Sequence, residues 1–337
     1  MHLRAVTATM TVLLWVAAWQ EDPGSTVAQR LDALLVLDQE LVATLPPLSR
    51  EERGSRIGAV FAREFSSELD RSRIAHHDNE DLSDLLRAAS IRSFYSNDPA
   101  TLDPMRAIVA ELERRGALRH HDAMSLYLAL LRFRRFDEAA TLADANALQT
   151  PALKVARRTG RSADGRRVWA AASEDTLEER RLSPGPEVRL VMIAQPHCGF
   201  SKRAMAAISA NPRATAAFAK HALVLVPQSA EVDARAVHRW NTAHPALAMV
   251  FVDAETDWPE ITDWETPVFH VLQNGKTVQI VVGWPGDSRL ETLLRLLDDA
   301  PTVATQSAST ASAKNARTSS SARVRENGGS ESRNTRP

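Results

Sequence analysis

Between residues 25 and 148 the apolar positions recur at intervals of three and four. Leu31, Leu34, Leu35, Leu41 and Val42 form one such set, Ile57, Val60, Phe61 and Phe65 a second, and Leu82, Leu85, Leu86 and Ala89 a third. That spacing places each set on one face of a helix. The clearest helix follows Asp103, a candidate N-cap, with Pro104 suited to the first helical position. Met105, Ile108, Val109 and Leu112 make its apolar face, Arg114 and Arg115 suit its last turn, and Gly116 stops it. Met124 to Phe133 is apolar nearly all round, which predicts a buried helix, and Phe136 to Leu148 predicts another.

Beyond residue 150 the pattern changes to short apolar runs alternating with helical segments. Arg167 to Ala172 and Val188 to Ile193 read as strands, whereas the charged run Glu174 to Arg181 reads as a solvated turn or helix. Lys202 to Ile208 reads as a helix, broken at Asn211-Pro212 and resumed from Ala214 to Lys220. Leu223 to Val226 is a strand, Val232 to Trp240 a helix and Leu247 to Val252 another strand. Val268 to Leu272 and Thr277 to Val282 flank Asn274-Gly275, the strongest short hairpin signal. Asp287 is placed to cap a last helix bearing Leu290, Leu293, Leu294 and Leu297.

These patterns give an α plus α/β chain. A helical unit at 25–150, a bundle or repeat-like array, precedes an α/β unit at 160–300. The breakers between Thr159 and Pro186 predict that a fragment starting near Gly160 folds alone. The pair Leu126–Phe133 and Phe136–Leu148 resembles a tetratricopeptide-type hairpin, although no fixed period precedes it. Residues 301–337 are rich in Ser, Thr and Ala, with too little apolar surface to fold, which predicts a disordered tail with a mild positive charge. Arg4 and the apolar run from Ala5 to Ala18 have the form of a signal peptide over 1–18. Export, periplasmic or secreted, is therefore expected, with no stable membrane span afterwards.

Composition narrows the chemistry. The 337 residues are 44% apolar with a formal net charge of −1, so the chain as a whole has no electrostatic pull towards nucleic acid or membrane. His76-His77 and His120-His121 are adjacent pairs whose side chains diverge on a helix, so they read as solvated and no metal site is expected. A single cysteine, Cys198, excludes an internal disulfide. It stands in Pro196-His197-Cys198-Gly199-Phe200-Ser201, between a predicted strand and a predicted helix. Unpaired N–H groups and the helix dipole favour a thiolate there, and the thiolate is the nucleophile. His197 adds to this if protonated. Ser201 lies one turn on, able to hydrogen-bond the sulfur but not to form a disulfide with it.

The order of strand, cysteine turn, helix, strand, Thr266-Pro267, strand, Asn-Gly, strand, Gly283 and last helix resembles the thioredoxin fold over Glu187 to Asp298. The resemblance implies an α/β/α domain with a mixed sheet. It implies that Cys198 is the attacking cysteine, that Ser201 occupies the resolving position and that Pro267 is a cis-proline lying against the cysteine. The interval between Cys198 and Pro267 exceeds the family plan, which implies an inserted helix and strand within Glu231 to Val252. Thr266, with its backbone N–H and C=O free, would pair with an extended client, and Phe200, Trp264 and Trp284 would form an apolar rim. Cys198-Gly199-Phe200-Ser201 is also identical to the motif of monothiol glutaredoxins, which hold iron–sulfur clusters with glutathione. Export, and the absence of the glutathione-binding lysine that the resemblance implies just before the motif, where Arg189 is the nearest upstream base, argue against a cluster here.

Two functions follow as expectations. One is monothiol thiol–disulfide exchange through mixed disulfides with client proteins or small thiols, with no resident cofactor and with release by glutathione or a partner thiol. The other is a redox-inactive thioredoxin-fold scaffold that docks partners on its helical unit.

Overall fold

A computed structural model describes residues 25–299 apart from 46–47, 152, 158–164, 186 and 287. The leader at 1–18, the tail at 301–337 and the cap expected at Asp287 lie outside the described residues. The first helix, α1 (Val27–Ala43), opens on a capping box in which Thr26 and Gln29 satisfy each other's backbone N–H groups. Ser49 and Glu52 do the same for α2 (Arg50–Glu64). A single turn, α3 (Arg71–Ile74), leads to α4 (Asn79–Tyr95), which packs against α1, α2, α5 (Leu102–Arg114) and α6 (His120–Arg132). Its Leu82, Leu85, Leu86, Ala88 and Ala89 are all buried, because neighbours cover more than one of its faces. α7 (Phe136–Ala145) folds back on α6 after Arg134, whose φ of 57° makes the turn.

Two helix starts in the first half differ from expectation. α5 begins at Leu102, because the 3-10 turn Pro99–Thr101, capped by Asp98, runs straight into it. Asp103 therefore caps nothing, and its carboxylate instead meets Arg106 at 2.8 Å. α6 begins at His120, four residues ahead of its apolar stretch. The adjacent histidine pairs are exposed except at His77, which is half-buried between Glu68 at 3.3 Å and Asp81 at 3.6 Å.

Among the described residues eight strands follow: β1 (Lys154–Ala156), β2 (Arg166–Ala171), β3 (Thr176–Leu182), β4 (Leu190–Ile193), β5 (Ala222–Val226), β6 (Met249–Val252), β7 (Val268–Gln273) and β8 (Lys276–Val282). They form one sheet in the order β1-β3-β2-β6-β5-β4-β7-β8. β4, β5 and β6 are mutually parallel, and β7 and β8 are antiparallel to their neighbours. Helices α8 (Gly199–Ala210) and α9 (Pro212–His221) join β4 to β5, α10 (Ala234–Ala243) joins β5 to β6, and α11 (Ser288–Asp299) follows β8. The run β5-β4-β7-β8 with these connections has a thioredoxin-like topology. The extra helix and strand expected within Glu231 to Val252 are α10 and β6.

The charged run is not a turn or helix but β3. It pairs antiparallel with the whole of β2, and Leu177 alone of its side chains is buried. Its acids and bases pair across and along the strand instead: Glu179 meets Arg167 on β2 at 3.4 Å and Arg181 on β3 itself at 3.5 Å.

The two faces of the sheet are covered differently. Leu190, Met192, Val224, Val226, Phe251 and Phe269 share one apolar cluster with all the long helices. Val191, Ile193, Leu225, Val252 and Val268 form a second cluster with Trp258 and Ile261. The second face is thus closed by the irregular stretch between β6 and β7. The arrangement is two layers of regular structure where α/β/α was expected. The helical half packs on the first face. Phe136 meets Trp169 edge-on at 4.9 Å, and the buried Arg134 donates to Val252 O at 3.0 Å while lying over Phe251. One apolar cluster therefore crosses the boundary that periodicity places at 150–160.

Candidate functional site

β4 ends at Ile193 in a strand buried on both faces, so the chain can leave the sheet only at its edge. Gln195 to His197 make the turn, and Cys198 becomes the N-cap of α8 with φ −75° and ψ 119°. Its carbonyl accepts from Lys202 N at 2.9 Å, which starts the helix. Its side chain is half-buried and free of any disulfide. Burial pushes the thiol pKa up. The Ser201 N–H, the Thr266 and Ser201 hydroxyls and the Phe200 N–H outweigh this, and hold it below the ordinary cysteine value. In the thiol form Sγ donates to Thr266 O at 3.3 Å. On ionisation that bond is lost and the four donors remain, so the site favours the anion.

The Thr266-Pro267 peptide bond is cis, and Pro267 is buried. Its carbonyl accepts from Gly283 N at 2.9 Å, which ties the proline to the end of β8. Gln195 Nε2 donates to Thr266 Oγ1 at 3.2 Å, so the turn before the cysteine and the turn before β7 hold each other. The Thr266 carbonyl, expected to be free for a client, is taken by the thiol proton. Its N–H has no partner among the described residues.

The other predicted site residues divide. Ser201 is fully buried and its Oγ accepts from Gln195 N at 3.4 Å, so it positions the turn and reaches the sulfur from below. His197 is exposed and its Nε2 lies 2.9 Å from Asp233 Oδ2 on the approach to α10, so it turns away from the sulfur. Phe200 is exposed beside the cysteine, with Arg203 stacked 4.4 Å from its ring. Trp264 is half-buried and lines a cavity of about 160 Å³ together with Gln195 and Thr266. Trp284 is not part of a rim. Gly283 has φ 74°, which turns the chain back, and Trp284 packs 5.9 Å from Phe269 in the core.

Sequence reasoning missed the opposite wall of that cavity. Arg50 and Arg53 from α2 and Phe94 and Tyr95 from α4 complete it. Arg53 pairs with Glu265, one residue before Thr266, at 2.6 Å. Asn97 Nδ2 donates to the buried Glu255 at 3.2 Å. The capping box Ser49–Glu52 was the one signal on this wall, and it marks a helix start rather than a site. Helix ends from the first half thus stand over the C-terminal ends of the parallel strands, where α/β sheets place their ligands.

No protein-family model and no curated protein matches the sequence. Among solved structures, a thioredoxin-like protein from Bacteroides caccae ATCC 43185 pairs with 76% of this chain and 95% of its own, at 10% identity and a TM-score of 0.26. At so low a score the fold assignment rests on the strand order and connections above.

Proposed function

We propose that this chain is an exported thiol–disulfide exchange protein that works with one cysteine. The observation that carries the reading is the half-buried Cys198 at a helix N-cap, its thiol acidified by four donors and lying against Thr266 beside a cis-proline. The apolar leader supports export, and in an oxidising compartment a lone acidic thiol meets disulfides. The Cys198 thiolate attacks one sulfur of a client disulfide. A bond forms between Cys198 Sγ and that sulfur, the client S–S bond breaks, and the other client sulfur leaves as a thiolate that takes a proton from water. With no resolving cysteine in the chain, a second thiol, from the client, from glutathione or from a partner protein, attacks the mixed disulfide and restores Cys198. No resident cofactor takes part.

A scaffold role is the second reading. It is favoured by the cavity wall that the helical half supplies, which would dock a partner whether or not Cys198 turns over. Mass spectrometry of the exported protein decides between them. Exchange predicts a client or small thiol linked to Cys198, and reaction of the native protein with the neutral reagent 4,4′-dipyridyl disulfide. A free, unreactive Cys198 leaves only the scaffold.

A further inference from the structure

The cavity beside Thr266 opens towards a larger cleft of about 810 Å³ between α4, α6 and the stretch leading into α10. Phe94, Ser229 and Ala230 line both, so the two form one path from the helical half towards Cys198. The walls of the larger cleft are largely apolar and include Phe94 and Leu128, each about half exposed (50% and 52%) although both are large apolar side chains. A monomer gains nothing by leaving such side chains in water at a concave site.

The charges at the junction are unbalanced. Arg50 and Arg132 each lie 5.3 Å from the Phe94 ring. Arg50 donates to Phe94 O, and Arg132 donates to Ser93 O and Ser96 O. These acceptors are carbonyls, and among the described residues neither guanidinium has a carboxylate within ion-pair reach. Arg132 is buried, and its Nε finds no partner among the described residues. Burial and the charge of Arg50 push its pKa down to about 9, so it keeps its charge at neutral pH. Other charged groups lining the large cleft are already engaged: Glu174 with Arg235 and Arg239, and Asp233 with His197. Glu231 stands exposed at the α10 side, and the acids whose charge reaches the arginines are engaged elsewhere: Glu255, felt by both, is buried on Asn97 and on Ser229 N, and Glu265, felt by Arg50, is paired with Arg53.

We infer that this cleft receives an apolar polypeptide segment bearing a carboxylate, with Phe94 and Leu128 taking the apolar side chains and Arg50 and Arg132 the acid. This names the client class for the exchange proposed above and rests on that reading for its consequence. Charge complementarity selects the occupant. The chain's own tail is a poor one, because Lys314, Arg317, Arg323, Arg325, Arg333 and Arg336 outnumber Glu326 and Glu331 there.

The test separates binding from chemistry. Fluorescence anisotropy with the full chain carrying Cys198→Ser compares a labelled peptide of alternating Leu and Asp with its Leu and Asn twin. The acidic peptide should bind about tenfold more tightly, the worth of one charge-assisted contact. Arg50→Gln, at the start of α2, should erase most of that preference, and Leu128→Gln should weaken both peptides. Arg132→Met should act like Arg50→Gln. Should it fail to fold, the other two variants decide. Equal affinities, no binding of either peptide, or an undiminished preference in Arg50→Gln overturns the inference. Reaction of wild-type Cys198 with dipyridyl disulfide reports the exchange reading separately. A chain that reacts but ignores the acidic peptide loses only the cleft, and one that binds the peptide but stays inert loses only the exchange.

Discussion

At the scale of single residues the site depends on which atoms reach the Cys198 sulfur. Ser201 is the telling case. Its backbone N–H and its hydroxyl both stabilise the thiolate, and the same hydroxyl accepts from Gln195 N. Ser201→Ala removes the hydroxyl and keeps the N–H. The thiol pKa should then rise, and iodoacetamide should alkylate Cys198 at pH 7 more slowly, by on the order of two- to threefold. An unchanged rate profile across pH would show that the two backbone N–H groups and the Thr266 hydroxyl set the acidity without it. The placement of Cys198 at a helix start and of Pro267 at a strand entrance was legible as a local signal, whereas the meeting of Ser201 and Pro267 with the sulfur came only from the resemblance to the thioredoxin fold. Trp284 was misread because its direction is set by the backbone at Gly283 and not by nearness in sequence to the strand. Arg50, Arg53 and Phe94 were invisible. They come to the site only because α2 and α4 pack where they do, more than 100 residues upstream of Cys198.

At the scale of elements the same division holds. Strands buried on both faces, such as β4 and β5, announce themselves as apolar runs, and the Asn274-Gly275 hairpin as a dipeptide. β3 did not, because its charges sit at spacings a helix also allows, and only pairing with β2 makes them a strand. Gly54 is another non-local feature. A Cβ there would lie 2.9 Å from Tyr95 O, so the glycine sets how closely α2 approaches α4. Gly54→Val should cost about 1–3 kcal/mol and lower the melting temperature accordingly. A melting temperature at or above wild type would show that the helices separate freely. β7 carries a pH effect. His270 is buried, with Nε2 at 2.8 Å from Asp263 O, and burial lowers its pKa. The unfolded chain therefore binds the proton more readily. The stability this contributes is present above the unfolded value of about 6.5 and is lost as pH falls towards the folded value. The denaturation midpoint should drop below about pH 6.5, and His270→Gln should flatten that slope. Equal slopes in the two proteins would place the acid sensitivity elsewhere.

At the scale of the whole molecule the question is whether the chain is two units or one. Periodicity divides it at 150–160, and that division is real for secondary structure. The packing does not follow it. Trp169 on β2 and Phe251 on β6 are fully buried, and what buries them includes Phe136 and Arg134 from the helical half. Arg134 adds a guanidinium whose Nε bonds a sheet carbonyl, so separating the halves would expose apolar surface and strand a sheet acceptor. Large aromatic faces of this kind are worth about 1.5–3 kcal/mol each when buried, a sizeable share of the stability of a domain this size. Sequence patterns could not reveal this, because an apolar residue on a strand looks the same whichever element covers it. A fragment starting near Gly160 should therefore melt with low cooperativity, bind a hydrophobic dye and resist proteolysis poorly, in contrast to the sequence-based expectation. Adding residues 25–159, which carry the helical half and β1, as a separate chain at micromolar concentration should restore a cooperative melt. Calorimetry on the fragment alone distinguishes the two cases: a sharp, reversible transition close to that of the full chain would mean that the α/β unit closes its own core, and that the helical half is a docked accessory.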